Sequence, residues 1–297
     1  NRFCCLTYSP EMDFYAAFYY IPPMQCWMLL GGKNPLEANS WKRLCDLPKQ
    51  ESPYLFLDQR PRWFGCYLCF GDRQSATILT MNPQGVERVQ RFPLPKAQHP
   101  CGFACDGLGR ILLAHGEETY CFENGTLSPL GFHILSGDGF NGSIPVPETG
   151  RLVMCGFSDR EVVARLLELD IDTRRCRATR MQNVDPWSVL LPFGEDWVLV
   201  KGSCDSMRLD FARLWNRTTG EVLRIRPGMF GSERLEHIGR LSDSRVVLTT
   251  LRSHVGQVVH FPADFWNFLR SASRPQTLEP MQPCEALYPD IPLKLPK

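Results

Sequence analysis

A short apolar run returns about six times along the chain, at Trp27–Leu30, Cys66–Phe70, Ile111–Leu113, Leu152–Met154, Trp197–Val200 and Val246–Leu248. The starts lie 39, 45, 41, 45 and 49 residues apart. A unit of that length cannot bury its own apolar face and must stack on its neighbours. The segment after each run is repeated as well. After Ile111–Leu113 come Thr119–Phe122, the turn Asn124-Gly125 and Leu127–Leu130. After Leu152–Met154 come Ala164–Leu169, Asp170–Arg175 and Arg177–Thr179. After Trp197–Val200 come Leu209–Trp215, Asn216–Gly220 and Glu221–Ile225. Asn-Gly and Thr-Gly suit tight turns, because glycine reaches positive φ without a clash. Each unit therefore reads strand, loop, strand, turn, strand, and a fourth strand is expected in the stretch leading into each run. Four-stranded antiparallel units at a period of roughly 40–50 residues predict a β-propeller. A β-sandwich of unequal hairpins is the competing arrangement, but it has no reason to keep the period.

The expected domain plan is one propeller over residues 1–297, with six or seven blades. Six are placed near 13–48, 63–95, 99–130, 140–181, 187–228 and 235–281. One short helix is expected, at Ala263–Ser271, packing outside the last blade. Lys and Arg total 33 and Asp and Glu 32, for a net charge of +1. That balance does not fit a nucleic-acid binder that relies on bulk charge. The apolar stretch Phe14–Leu30 is interrupted by Pro22, Pro23 and Gln25, so no membrane span and no signal peptide are expected.

Thirteen cysteines, an odd number at irregular spacing and several within apolar runs, predict thiols in a reducing compartment, cytoplasmic or nuclear. Secretion is the alternative. Three N-x-Ser/Thr triplets, at Asn124, Asn141 and Asn216, favour it, but two of the three fall where turns call for Asn. Cys66-x-x-Cys69 has the spacing of a zinc pair but no second pair to complete the site, and i and i+3 on a strand face opposite sides. The six histidines show no metal-ligand spacing, and Gly137-Asp-Gly139 lacks the Lys-Ser/Thr of a phosphate loop. No cofactor, metal or catalytic residue is predicted from these patterns.

Gly65-Cys-Tyr-Leu-Cys-Phe70, Ile78-Leu-Thr-Met-Asn-Pro83 and Arg91-Phe-Pro-Leu-Pro95 together resemble a series in plant F-box/kelch proteins. Ser40-Trp-Lys-Arg-Leu44 with Leu47-Pro48 is similar to their outer strand, and Asp196–Val200 with Leu214-Trp215 and Arg217–Gly220 is similar to a later blade. The resemblance implies a kelch-like propeller acting as the substrate-recognition part of a cullin-RING (SCF-type) ubiquitin ligase. The F-box expected upstream would bind a Skp1-type adaptor, while the propeller holds the protein target and performs no chemistry itself. A propeller enzyme (hydrolase, lyase or oxidase) and a scaffold or effector propeller without a ligase link are the alternatives. Target recognition is expected on the face that carries the loops between second and third strands. Those loops hold Arg73, His115, Arg160, Arg208, Arg252 and His254. Guanidinium grips carboxylate and phosphate bidentately, so such a face suits acidic or phosphorylated partners.

Overall fold

The structure, a computed structural model, describes residues 2–9, 11–21, 24, 26–34, 37–47, 61–98, 100–132, 140, 142–158, 164–181, 184, 188–193, 196–201, 212–224, 235–242, 245–250, 256–260, 267, 269–271, 275–284, 286–288 and 291–292. In 2–6, 157–158, 201, 235–242, 245–250, 256–260, 286–288 and 291–292 it describes the backbone alone. The regular structure of the described residues is almost all strand, gathered into six antiparallel sheets. The chain divides into two compact units. One comprises Asn1–Lys96 and Glu233–His260, the other Ala97–Ser232 and Phe261–Lys297.

The first unit holds three sheets. The first runs in chain order through β1 (Arg2–Ser9), β2 (Phe14–Ile21), β3 (Cys26–Gly32) and β4 (Lys42–Asp46). The second is β5 (Arg62–Phe64), β6 (Tyr67–Gly71), β7 (Ser75–Asn82) and β8 (Gly85–Pro93). The second unit opens with β9 (Gly102–Cys105), β10 (Ile111–His115), β11 (Glu118–Glu123) and β12 (Thr126–Pro129). Next come β13 (Ile144–Val146), β14 (Arg151–Ser158), β15 (Ala164–Asp170) and β16 (Arg175–Thr179). A fifth sheet is made of β17 (Val189–Pro192), β18 (Trp197–Lys201), β19 (Arg213–Asn216) and β20 (Glu221–Arg224). The sixth sheet belongs to the first unit and comprises β21 (Leu235–Ser242), β22 (Arg245–Thr250) and β23 (Gly256–His260).

The fourth strand expected ahead of each run is present as β5, β9, β13 and β17. The first sheet departs from the expected phase. It begins at Arg2 rather than near residue 13, and Trp27–Leu30 lies in its third strand, not its second. The equivalent of the other runs is the aromatic stretch Phe14–Tyr20 in β2. The last part of the chain departs as well. β24 (Gln276–Thr277) pairs with β20 and β25 (Gln282–Cys284) pairs with β16, so this segment extends the fifth and fourth sheets rather than the sixth. Of the expected helix, residues 267 and 269–271 are described and helical, with Leu269 fully buried.

Burial explains why the runs are continuous rather than alternating. A sheet covered on one face alternates apolar and polar residues, whereas one covered on both faces reads as an unbroken apolar run. β10 is buried at all five positions, while β12, at the far edge of the same sheet, is largely exposed. In the second unit, one face of the fourth sheet, with Leu152, Met154, Leu167 and Leu169, packs on Ala104, Leu112 and Ala114 of the third. Its other face, with Val153, Cys155 and Leu166, packs on Val198, Val200, Trp215 and Val222 of the fifth. In the first unit, Ala16, Phe18 and Leu29 meet Leu68, Phe70 and Leu79, with Phe18 and Phe70 edge to face at 5.6 Å. Such a pair contributes about 0.5–1.5 kcal/mol beyond its burial.

The first strands of the sheets lie side by side. In the first unit β1 is flanked by β21 and β5, and in the second β13 is flanked by β9 and β17. The double glycine that ends β3 serves close approach. A Cβ on Gly32 would run into the Ser40 carbonyl, and one on Gly31 would meet Phe14 and Leu44.

Candidate interaction surface

The turns between second and third strands are the expected recognition loops, and two of the six predicted residues are described. Arg73 stands exposed at the tip of the β6–β7 turn. Asp72 builds that tip. Its Oδ1 accepts from the Gln74 and Ser75 N–H groups at 2.7 Å each, and its own N–H donates to the Ser75 carbonyl. The short polar side chain thus replaces a backbone acceptor and leaves Arg73 outside the turn's own hydrogen bonds.

His115 is placed differently from the expectation. It is the last residue of β10, not a loop residue, and is 3% exposed. Residues Ile111, Leu113 and His115 alternate on one face of the strand. That periodicity, carried through to its end, puts the imidazole in the interior. The exposed residues of this turn are Gly116, at φ +60°, and Glu117, so its tip is acidic rather than basic. His115 Nδ1 lies 3.4 Å from Cys101 Sγ, and which of them donates depends on the imidazole tautomer. Burial, then the nearby Glu118 and Cys101, raises the Tyr120 pKa above its ordinary value. Arg160, Arg208, Arg252 and His254 lie outside the described residues.

The opposite ends of the strands carry a second set of turns, where the sequence expects them at Asn124-Gly125, Asp170–Arg175 and Asn216–Gly220. Asn82, Asp170 and Asn216 each sit at the end of a third strand and accept two backbone N–H bonds, from residues two and three positions on. Asn216, one of the three glycosylation triplets, is buried in this role, and Asn124 occupies a tight turn at φ +51°. In the second unit these turns clasp neighbouring sheets. Asp106, whose side chain is fully buried, accepts from the Leu108 and Arg110 N–H groups through Oδ1. Arg110 Nε donates to Asp106 Oδ2 at 2.6 Å, and its Nη1 reaches Asp172 Oδ1 in the β15–β16 turn at 2.8 Å. Burial opposes the charge on Arg110, but its hydrogen bonds to Asp172 and Asp106 outweigh it and hold its pKa above the ordinary value. Arg217 Nη1 likewise donates to the Pro145 carbonyl at 2.9 Å. These arginines hold sheet to sheet.

The expectation that Cys66 and Cys69 share one strand is not met. Cys66 lies in the turn before β6 and Cys69 inside that strand, fully buried. Among the described residues no three His, Cys, Asp or Glu side chains are grouped to hold a metal. The ten cysteines with described side chains are all thiols. Burial is the main force that pushes the Cys45 thiol up to about 11. At pH 8 it is therefore almost wholly protonated and a poor nucleophile. Iodoacetamide labelling with peptide mapping is expected to modify Cys45 at least about tenfold more slowly than in urea, the difference narrowing as the pH approaches the folded pKa. Because its proton is held more tightly folded than unfolded, its stabilising contribution is complete below about pH 9 and is lost as the pH rises towards 11. Equal labelling rates in the folded and unfolded chain would contradict this burial.

No protein-family profile matches the chain, and no curated protein matches it. Solved structures do. The β-propeller domain of the trilobed protease from Pyrococcus furiosus is 11% identical, over 86% of this chain and 78% of that one, with a TM-score of 0.48. The β-propeller domain of Cps50 (Swd1) from Myceliophteria thermophila is 10% identical, over 88% and 97%, with a TM-score of 0.49. Hydrazine synthase of Kuenenia stuttgartiensis is 10% identical, over 95% and 91%, with a TM-score of 0.49. No function passes from these likenesses to this chain. No helix among the described residues is long and apolar enough to cross a membrane.

Proposed function

We propose that this chain is a protein-binding β-propeller and that it serves as the target-recognition part of a cullin-RING ubiquitin ligase. The observation that carries the propeller reading is the burial of the fourth sheet on both faces, together with the side-by-side first strands in each unit. Sheets stacked face to face with their first strands together are blades. A blade's first strands carry the rigidity, and the turns at its strand ends are left to make contacts. The ligase reading rests on the F-box/kelch resemblance. It is supported by where the resembling residues fall: Tyr67–Gly71, Ser75–Asn82 and Gly85–Pro93 are successive strands of one sheet, with Asn82 building the turn between the last two.

Two experiments separate protein binding from ligase assembly. The purified chain, immobilised and offered native extract, is expected to capture a protein target without a Skp1-type adaptor. The full-length gene product is expected to capture both. Target without adaptor in the second case would leave the protein-binding reading standing and remove the ligase. The recognition face is tested by Arg→Ala at 73, 160, 208 and 252 together. The fourfold variant is expected to keep its melting temperature and lose about tenfold or more in target affinity at low salt. Undiminished affinity would place recognition elsewhere.

A further inference from the structure

We propose that Cys176 and Cys284 are a reversible dithiol latch that fastens β25 to the edge of the fourth sheet. The two residues stand directly opposite each other in the antiparallel pair β16–β25, and their sulfur atoms are 3.4 Å apart. Directly opposed residues of antiparallel strands have Cα atoms about 4.5–5.5 Å apart. That range falls inside the window of about 4.4–6.8 Å that a disulfide needs. Closing the bond therefore requires side-chain rotation and no displacement of either strand. Cys176 is buried at 3% exposure, whereas Cys284 is partly exposed, so the pair has an accessible member and a sheltered one.

The strand being fastened is otherwise weakly held. β25 pairs with β16 over three residues, and one of them, Pro283, has no N–H to donate. Two further bonds tether the approach to it, from Arg177 Nη2 to the Met281 carbonyl at 2.9 Å and from Thr179 Oγ1 to the Glu279 carbonyl at 2.7 Å. A covalent bond at Cys284 would close a loop spanning 108 positions, where cross-linking has a large effect on the open state.

The oxidant is a peroxide. The Cys284 thiolate attacks one peroxide oxygen; the S–O bond forms, the O–O bond breaks, and hydroxide leaves as water after protonation, giving a sulfenic acid. The Cys176 thiolate then attacks that sulfur; the S–S bond forms and the S–O bond breaks, again releasing water. Two thiols and one hydrogen peroxide give one disulfide and two waters, and a dithiol reductant reverses the result.

The test uses the intact chain. Fully reduced protein is expected to titrate as thirteen thiols under denaturing conditions, and as two fewer after one equivalent of hydrogen peroxide. Non-reduced peptide mapping should then link Cys176 to Cys284, and hydrogen exchange over 276–284 should slow by about tenfold or more, with dithiothreitol restoring the faster rate. Cys284→Ser should abolish both changes. The comparison of oxidised with reduced wild type needs no variant, so a folding defect in the variant would not shield the proposal. Recovery of Cys284 as a sulfinic acid or bonded to another cysteine would overturn it. So would a Cys176–Cys284 link that leaves exchange in β25 unchanged.

Discussion

Gly107→Ala is expected to lower the unfolding midpoint of this protein by roughly 6–12 °C, corresponding to about 3 kcal/mol or more. Gly107 sits in the β9–β10 turn, which is docked on the turn that enters β14. Its N–H donates to the Arg151 carbonyl at 3.2 Å, and its carbonyl accepts from the Glu148 N–H at 3.0 Å. A Cβ there would overlap the Val146 carbonyl and lie 2.7 Å from the Thr149 carbonyl oxygen. Both obstacles are backbone, so no rotamer change relieves them. The requirement is for space, and the neighbouring Gly109 supplies the control. Gly109 has φ +82° with nothing within 4 Å of its Cβ position. Gly109→Ala should therefore cost only its conformational strain, about 1–2 kcal/mol. Differential scanning calorimetry that ranks Gly109→Ala as the more damaging change would refute the docking of this turn.

Arg110→Ala is expected to cost about 3 kcal/mol, near the low end for breaking a buried ion pair. The value is low because the Asp106 carboxylate, left behind, still accepts from the Leu108 N–H and its own turn. Asp172→Ala removes the other partner of Arg110, but Asp172 has a half-exposed side chain. Exposed ion pairs contribute about 0–1 kcal/mol, so that variant should be nearly silent in urea denaturation. The asymmetry is the test. Equal losses would mean that the sheet-to-sheet contact, rather than the buried carboxylate, dominates.

The all-β class is legible in the sequence because it rests on local signals. Continuous apolar runs with Asn-Gly, Asp-x-Asp and Asn-x-Thr-Thr-Gly turns beyond them occur at short range, and the turns at Asn124, Asp170 and Asn216 fall where those residues stand. Phase is harder to read. In the first sheet Trp27–Leu30 is as apolar as Phe14–Tyr20, and nothing local distinguishes a second strand from a third. His115 is hard to place for a related reason. The glycine after it marks the turn correctly, but its polarity suggests a loop where the strand's alternation puts it inside. The clasp from Arg110 to Asp172 joins residues 62 positions apart, and the pair Cys176–Cys284 joins residues 108 apart. No spacing rule connects them, since the meeting is made by the stacking of sheets. The same holds for the segment after residue 275, whose polar, proline-rich sequence carries no sign of which edge it extends.

The adjacency of β1 and β21 has a consequence for the newborn chain. β1 leaves the ribosome long before its flanking partner, which is encoded from Leu235 onwards. At ~5–20 residues per second the interval between them is on the order of ten to forty-five seconds. Throughout that time the first sheet must wait with one side uncovered, while β9 to β20 of the other unit, encoded without interruption between Ala97 and Ser232, can pair as they emerge and lack later edge strands such as β24 and β25. A chain built this way depends on chaperones most at its first sheet.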